Sequence, residues 1–261
     1  MSRTPLLLLL VLAMLSSPVA WAADKSCAIV LMHGKWGNPR FVAGFGEALS
    51  DLCEYESLEM PWSQRRNYDA DYTEALAEIA RQVTRFREQG FQRVIVAGHS
   101  FGANAAIAYM ANHGDADGVM AIGPGHTPEI FYERGRTRES VDQARAMVNE
   151  GKGEETSGFH DINQDREQKI RMRARIYLSY FDPDGIGNMG RSADGFYKAV
   201  PFAWIIGTSD RLSRGGPQYA HARAPEHPKS AYLEVSADHV SVLDAPGRQA
   251  AREWLLSLDA N

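Results

Sequence analysis

The sequence predicts an α/β fold: a mostly parallel sheet, helices on both of its faces, and one long insertion between the fourth and fifth strands. Three observations carry this. Short apolar runs of strand length alternate with stretches whose apolar residues recur at helical spacing. The runs are apolar throughout rather than at every second residue, as expected of strands covered on both faces. The 261 residues, 44% hydrophobic and 23% charged, suit one large soluble α/β domain, with no internal repeat and no long low-complexity tract.

The first residues are set apart from that domain. Arg3 precedes an apolar run from Leu6 to Leu15, too short to span a bilayer comfortably, and Ser16-Ser17-Pro18 breaks it. Ala20-Trp21-Ala22 then offers small residues at the spacing a signal peptidase reads. Residues 1–22 are therefore expected to be a signal peptide, and residues 23–261 the folded domain of an exported protein, periplasmic or secreted. No cysteine follows the cut in a lipid-attachment setting, so no stable membrane anchor is expected after cleavage. Losing Arg3 takes the formal net charge from −5 to −6. A negative balance disfavours nucleic acid and anionic lipid as partners, since both select positive patches.

Cys27 to Met32, "CAIVLM", is the first buried strand, ending at His33-Gly34. A helix is expected over Phe41–Leu52 and a weaker strand over Tyr55–Met60, stopped by Pro61. Cys27 opens the first strand and Cys53 just precedes the second. Neighbouring parallel strands bring their starts together, so oxidising conditions favour a Cys27–Cys53 disulfide. Thr73–Gln89 places Leu76, Ile79, Ala80, Val83 and Phe86 on one helical face and closes at Gly90. Val94–Ala97 is the third strand, Asn104–Met110 lies in a helix, and Val119–Ile122 is the fourth strand.

The interval that follows is charged in both signs, with a helical stretch at Val141–Asn149 and a loop-like "YFDPDGIGN" at Tyr180–Asn188. A compact domain does not leave such a length structureless. A mostly helical cap over the strand ends, about 126–199, is expected. Its cluster of Arg166, Lys169, Arg171, Arg173 and Arg175 either faces an anionic substrate or is a solvated helix face, and the solvated face is preferred because exposed charge is the default. Strands resume at Pro201–Ile206 and Ala231–Val235, and Ala250–Leu258 is a terminal helix.

The chemistry centres on Gly98-His99-Ser100-Phe101-Gly102. It follows "VIVA" and precedes small residues at helical spacing. A strand, a sharp turn and a helix in that order form a nucleophile elbow, which pushes the serine Oγ out of the sheet. With this motif, and with "GHSFGANAA", "ARIYLSYFDPDG" and "WIIGTSDRLS", nearly the whole mature chain resembles the α/β-hydrolase family, in particular small exported bacterial members of undefined substrate. The resemblance implies a three-layer α/β-hydrolase core and a Ser, Asp or Glu, His triad in that chain order. Ser100, Asp210 and His239 fit it, Asp210 just past "FAWII" and His239 just past "YLEVSAD". Both then stand at C-terminal strand ends, where open parallel sheets place their sites. Asp182 and Asp184 sit in a turn-like "FDPDG", and Asp238 adjoins His239, so Asp210 is preferred as the acid.

The family analogy assigns an oxyanion hole to the backbone N–H groups of Lys35 and Phe101, with Trp36 and Gly34 beside them. His33 and His99 are expected on the site floor, and His113 near a helix C-terminus. His126, His160, His221 and His227 are expected at the surface or in the cap. No cofactor is required by such a triad, and no metal-ligand spacing is present. The expected reaction is hydrolysis of an ester or related acyl bond of a small molecule. A thioesterase, an amidase, a carbon–carbon-bond hydrolase, or a non-catalytic binding protein on the same fold stays open.

Overall fold

In a computed structural model, which describes residues 26–259, the apolar runs become strands of one sheet. They are β1 (Cys27–Met32), β2 (Glu54–Leu58), β3 (Arg93–Ser100) and β4 (Gly118–Pro124). Within the long insertion, β5 (Thr156–Asn163) and β6 (Arg166–Arg173) form a separate antiparallel hairpin. The main sheet resumes with β7 (Phe202–Gly207) and β8 (Ala231–Val235). Its order is β2-β1-β3-β4-β7-β8, and every neighbouring pair is parallel. The expected signal peptide, residues 1–22, lies outside the described residues.

Eight helices are found among the described residues: α1 (Arg40–Glu47), α2 (Tyr72–Glu88), α3 (Phe101–Asn112), α4 (Pro128–Glu133), α5 (Arg138–Asn149), α6 (Ala174–Phe181), α7 (Met189–Asp194) and α8 (Ala245–Ser257). Their burial explains why the strands read as continuous apolar runs. Ala28, Val30 and Met32 of β1 face one layer, with Leu76, Ile79 and Val83 of α2 and most of α3. Ile29 and Leu31 face the other, with Phe45 of α1 and Trp254 of α8. Polar termini fix the ends of α2: Asp71 and Glu74 form a reciprocal capping box, and Arg85 and Arg87 occupy the last turn. The helix expected at Phe41–Leu52 stops earlier, at Glu47, and its last residues form turns that carry the chain to Cys53.

Cys27 and Cys53 are joined in a disulfide with a Cα–Cα distance of 4.6 Å. It ties the start of β1 to the residue before β2.

The insertion is mostly helical, as expected, but it also holds a hairpin that was not expected. Its four helices, α4 to α7, are accompanied by the β5–β6 hairpin, and the basic cluster from Arg166 to Arg173 belongs to β6, not to a helix. The physical reason is the pattern of burial. Ile170 and Met172 point inward, while Lys169 and Arg171 between and beside them are exposed, a period of two. Arg175 lies on α6 and is ion-paired with Asp71 and Glu154.

The chain leaves β1 towards β2 on one side and later continues from β3 towards β8 on the other. The carboxyl ends of β1 and β3 therefore flank a topological switch point, where α/β sheets open a crevice.

Candidate active site

Ser100 ends β3 with φ of 57°, an uncommon conformation for a residue with a side chain. The turn closes on itself through glycine. A Cβ on Gly98 would lie 2.3 Å from the Gly102 carbonyl carbon, and one on Gly102 would lie 2.3 Å from the Met32 carbonyl oxygen. Both positions exclude side chains, so the elbow packs directly against β1. Gly34 extends that contact: its Cβ would come to 3.0 Å from the Ser100 Cβ.

Three strand ends converge here. Ser100 Oγ lies 2.9 Å from His239 Nε2, and His239 Nδ1 lies 2.6 Å from Asp210 Oδ2. The other Asp210 oxygen accepts the Leu212 N–H at 2.9 Å, which fixes the carboxylate plane. Ser100 and Asp210 are buried, each 6% exposed. Asp238 is spent on its own turn, accepting from Val240 and Ser241. Asp182 and Asp184 lie in the turn after α6, paired with Arg145 and Arg191.

The loop after β1 supplies the remaining backbone. The Trp36 N–H donates to the Trp62 carbonyl and the Gly37 N–H to that of Gly34. The Lys35 N–H makes no such bond among the described residues. Phe101 opens α3, so its N–H is one of the helix donors without an intrahelical acceptor. His33 is buried below. Its Nδ1–H donates to the Gly34 carbonyl, its Nε2 accepts the Met60 N–H, and its own carbonyl accepts the Trp62 indole N–H. His99 donates from Nε2 to the His239 carbonyl at 2.7 Å. Burial, with His239 beside it, holds His99 down at about 3, so it stays neutral.

Two features were not foreseen. His126 is not at the surface. With φ of 63° it turns inward beneath the cap, stacks on Phe101 at 3.8 Å and donates to the Tyr180 carbonyl. Burial lowers its basicity, and Lys35 lowers it further. The second is a buried polar cluster between the β1 loop and the cap, in which Lys35 Nζ lies 2.6 Å from Asp161 Oδ1 on β5. Burial pulls the Lys35 ammonium down while Asp161 opposes it. No local motif marks Asp161; only a buried position in the two-residue alternation of β5 could have pointed to it. His160 is exposed on the cap, and His113 caps the C-terminus of α3.

Ser100 and His239 are reached from two cavities. One, of about 350 Å³, has an apolar wall of Pro124, Ile130, Phe131 and Leu212. The other, of about 250 Å³, is lined by Trp36, Asn38, Phe41, Gln64 and Arg166. The hairpin tip, Asn163 and Gln164, borders both. Among the described residues no three His, Cys, Asp or Glu side chains gather as a metal site, and no helix is long and apolar enough to cross a membrane.

Comparison with known proteins agrees with this architecture. The chain superposes on a monoacylglycerol lipase of Paleococcus ferrophilus with a TM-score of 0.64 and 18% identity, covering 88% of this chain and 94% of that one. Est1E of Butyrivibrio proteoclasticus with ferulic acid bound gives 0.61 and 15%, covering 91% of each chain. The thioesterase domain of a curacin biosynthetic pathway gives 0.55 and 12%, covering 90% and 93%. At these identities the likeness is one of fold. No curated protein sequence matches. The sequence profile described as "Alpha/beta hydrolase family" matches residues 29–253, from inside β1 to the last turns of α8, and the chain therefore belongs to the α/β hydrolase family.

Proposed function

We propose that this protein is an exported serine hydrolase that cleaves an ester, or a closely related acyl bond, in a small molecule. The single observation that carries the reading is the continuous chain from Ser100 through His239 to Asp210 at the mouth of two cavities. In this reading Ser100 Oγ attacks the substrate carbonyl as His239 Nε2 takes its proton. Asp210 holds the imidazole in the tautomer with a free Nε2 and stabilises the imidazolium. The Lys35 and Phe101 N–H groups receive the oxyanion. Collapse expels the leaving group, which takes the proton from His239. Water then attacks the acyl-Ser100 ester with His239 again as base, releasing the acid and the free serine.

The disulfide supports the export half of the proposal, because such bonds persist in oxidising compartments. Fractionation of expressing cells, with sequencing of the mature N-terminus, tests it. Processing after Ala22 is the expected result.

Activation of the nucleophile is tested with a fluorophosphonate probe on the purified mature protein, followed by mass mapping. Labelling at Ser100 that disappears in Ser100→Ala is expected. A folded protein that takes no label would favour a non-catalytic binding role. A panel of esters, thioesters and amides then ranks the leaving groups.

A further inference from the structure

The reading above needs the Lys35 N–H held at one place while charge develops on the substrate oxygen, and this inference rests on that reading. The loop that carries it is not stiffened by secondary structure. It is held instead by one residue of the cap. Asp161 on β5 is completely buried, and both of its oxygens are taken. Oδ1 accepts from Lys35 Nζ at 2.6 Å and from the Ile162 N–H at 2.7 Å. Oδ2 accepts from the Trp36 indole N–H at 2.7 Å and the Tyr68 hydroxyl at 2.8 Å. Adjacent side chains of the loop thus end on a single carboxylate.

The same stretch of β5 grips the loop backbone. Lys35 Nζ also donates to the Ile162 carbonyl at 2.8 Å, and Asn163 Nδ2 donates to the Lys35 carbonyl at 3.1 Å. The Lys35–Trp36 peptide is therefore held at both polar ends, its carbonyl by Asn163 and its N–H by the Trp62 carbonyl. What remains unengaged is the Lys35 N–H. The Lys35 ammonium itself is sequestered, paired with Asp161 and lying 4.7 Å from the Phe181 ring centre. It is an anchor for its own backbone rather than a group offered to substrate.

We propose that Asp161 is a positioning residue for the oxyanion site: the cap hairpin, through this one carboxylate, sets where the donor loop of the core stands. The cap then does more than cover the cavities. A donor shifted by a fraction of an ångström weakens stabilisation of the tetrahedral state far more than it weakens substrate binding.

Removing one member of a buried ion pair endangers folding, so two variants are needed. Trp36→Phe deletes one donor and leaves the ion pair intact. The double variant Lys35→Met with Asp161→Asn removes both charges together. Wild type is first titrated with the fluorophosphonate probe and an ester. If it neither labels at Ser100 nor turns over, the hydrolase reading fails and this inference falls with it. With active wild type and folding verified by circular dichroism, each variant is measured for kcat, KM and affinity for a boronic acid, a tetrahedral mimic. The expected result is a fall in kcat of roughly 10- to 100-fold, with KM changed by less than about 3-fold and boronate affinity falling in parallel with kcat. Unchanged kcat would overturn the proposal: with a raised KM it would leave Trp36 as a wall of the second cavity, and with KM also unchanged it would leave Asp161 a purely structural residue, the hydrolase reading staying intact in both cases. If the double variant does not fold, Trp36→Phe alone decides.

Discussion

At the residue scale, the site depends on which carboxylate faces His239. Asp210 does, and Asp210→Asn is expected to lower kcat by about 10⁴-fold with the fold intact, because the imidazole then loses the partner that fixes its tautomer. Asp182→Asn, in a turn paired with Arg145, is expected to leave kcat within about 2-fold, as for other surface changes. Steady-state kinetics on one ester separates the two, and the reverse outcome would move the acid role to Asp182. The order of Ser100, Asp210 and His239 along the chain, each after an apolar run, made these residues legible in the sequence. The role of the Lys35 side chain was not legible, because its partner Asp161 lies in another element and carries no local signature.

At the element scale, what was readable is what has a period. The inner strands β1, β4 and β7 are apolar throughout because α2 and α3 cover one face of the sheet and α1 and α8 the other. The hairpin of β5 and β6 escaped because its buried residues are few, Phe159, Asp161, Ile162, Ile170 and Met172, do not alternate cleanly, and are scattered among charges. Its turn carries no glycine either: Gln164 takes φ of 57° in a position that favours one. The elbow between β3 and α3 is the opposite case, since its glycines announce it. Gly98→Ala would press a methyl into the backbone of Gly102, and a loss of about 1–3 kcal/mol is expected in urea unfolding, together with loss of probe labelling. Full stability with normal labelling would mean the turn has room that its geometry denies.

At the scale of the whole molecule, three buried histidines make the fold sensitive to acid. Burial lowers His33, His99 and His126 below the ordinary value of 6.5. Below that value the unfolded chain takes up protons that the folded chain refuses. Stability is therefore full above about pH 6.5 and falls as pH drops towards the folded values, about 3 for His99. Each histidine contributes a slope of about 1.4 kcal/mol per pH unit over its own window. Urea midpoints at pH 7 and pH 5 measure this, and equal midpoints would contradict it. If the proposed substrates are soluble and short in the acyl part, as a cap rich in charge rather than a greasy lid would favour, kcat/KM is expected to level off or fall as the acyl chain lengthens. A steady rise into emulsified substrates would place the activity at oil interfaces instead. The disulfide also reaches beyond the stability of one molecule. β2, the outermost strand, carries Glu54 and Glu56 and so presents a charged rim, whereas β1 behind it is the unbroken apolar segment "CAIVLM". The Cys27–Cys53 bond keeps that guard in place. Once it is reduced, any fraying of β2 bares a strand of the kind that templates intermolecular pairing, so reductant is expected to promote fibrillar self-association before global unfolding.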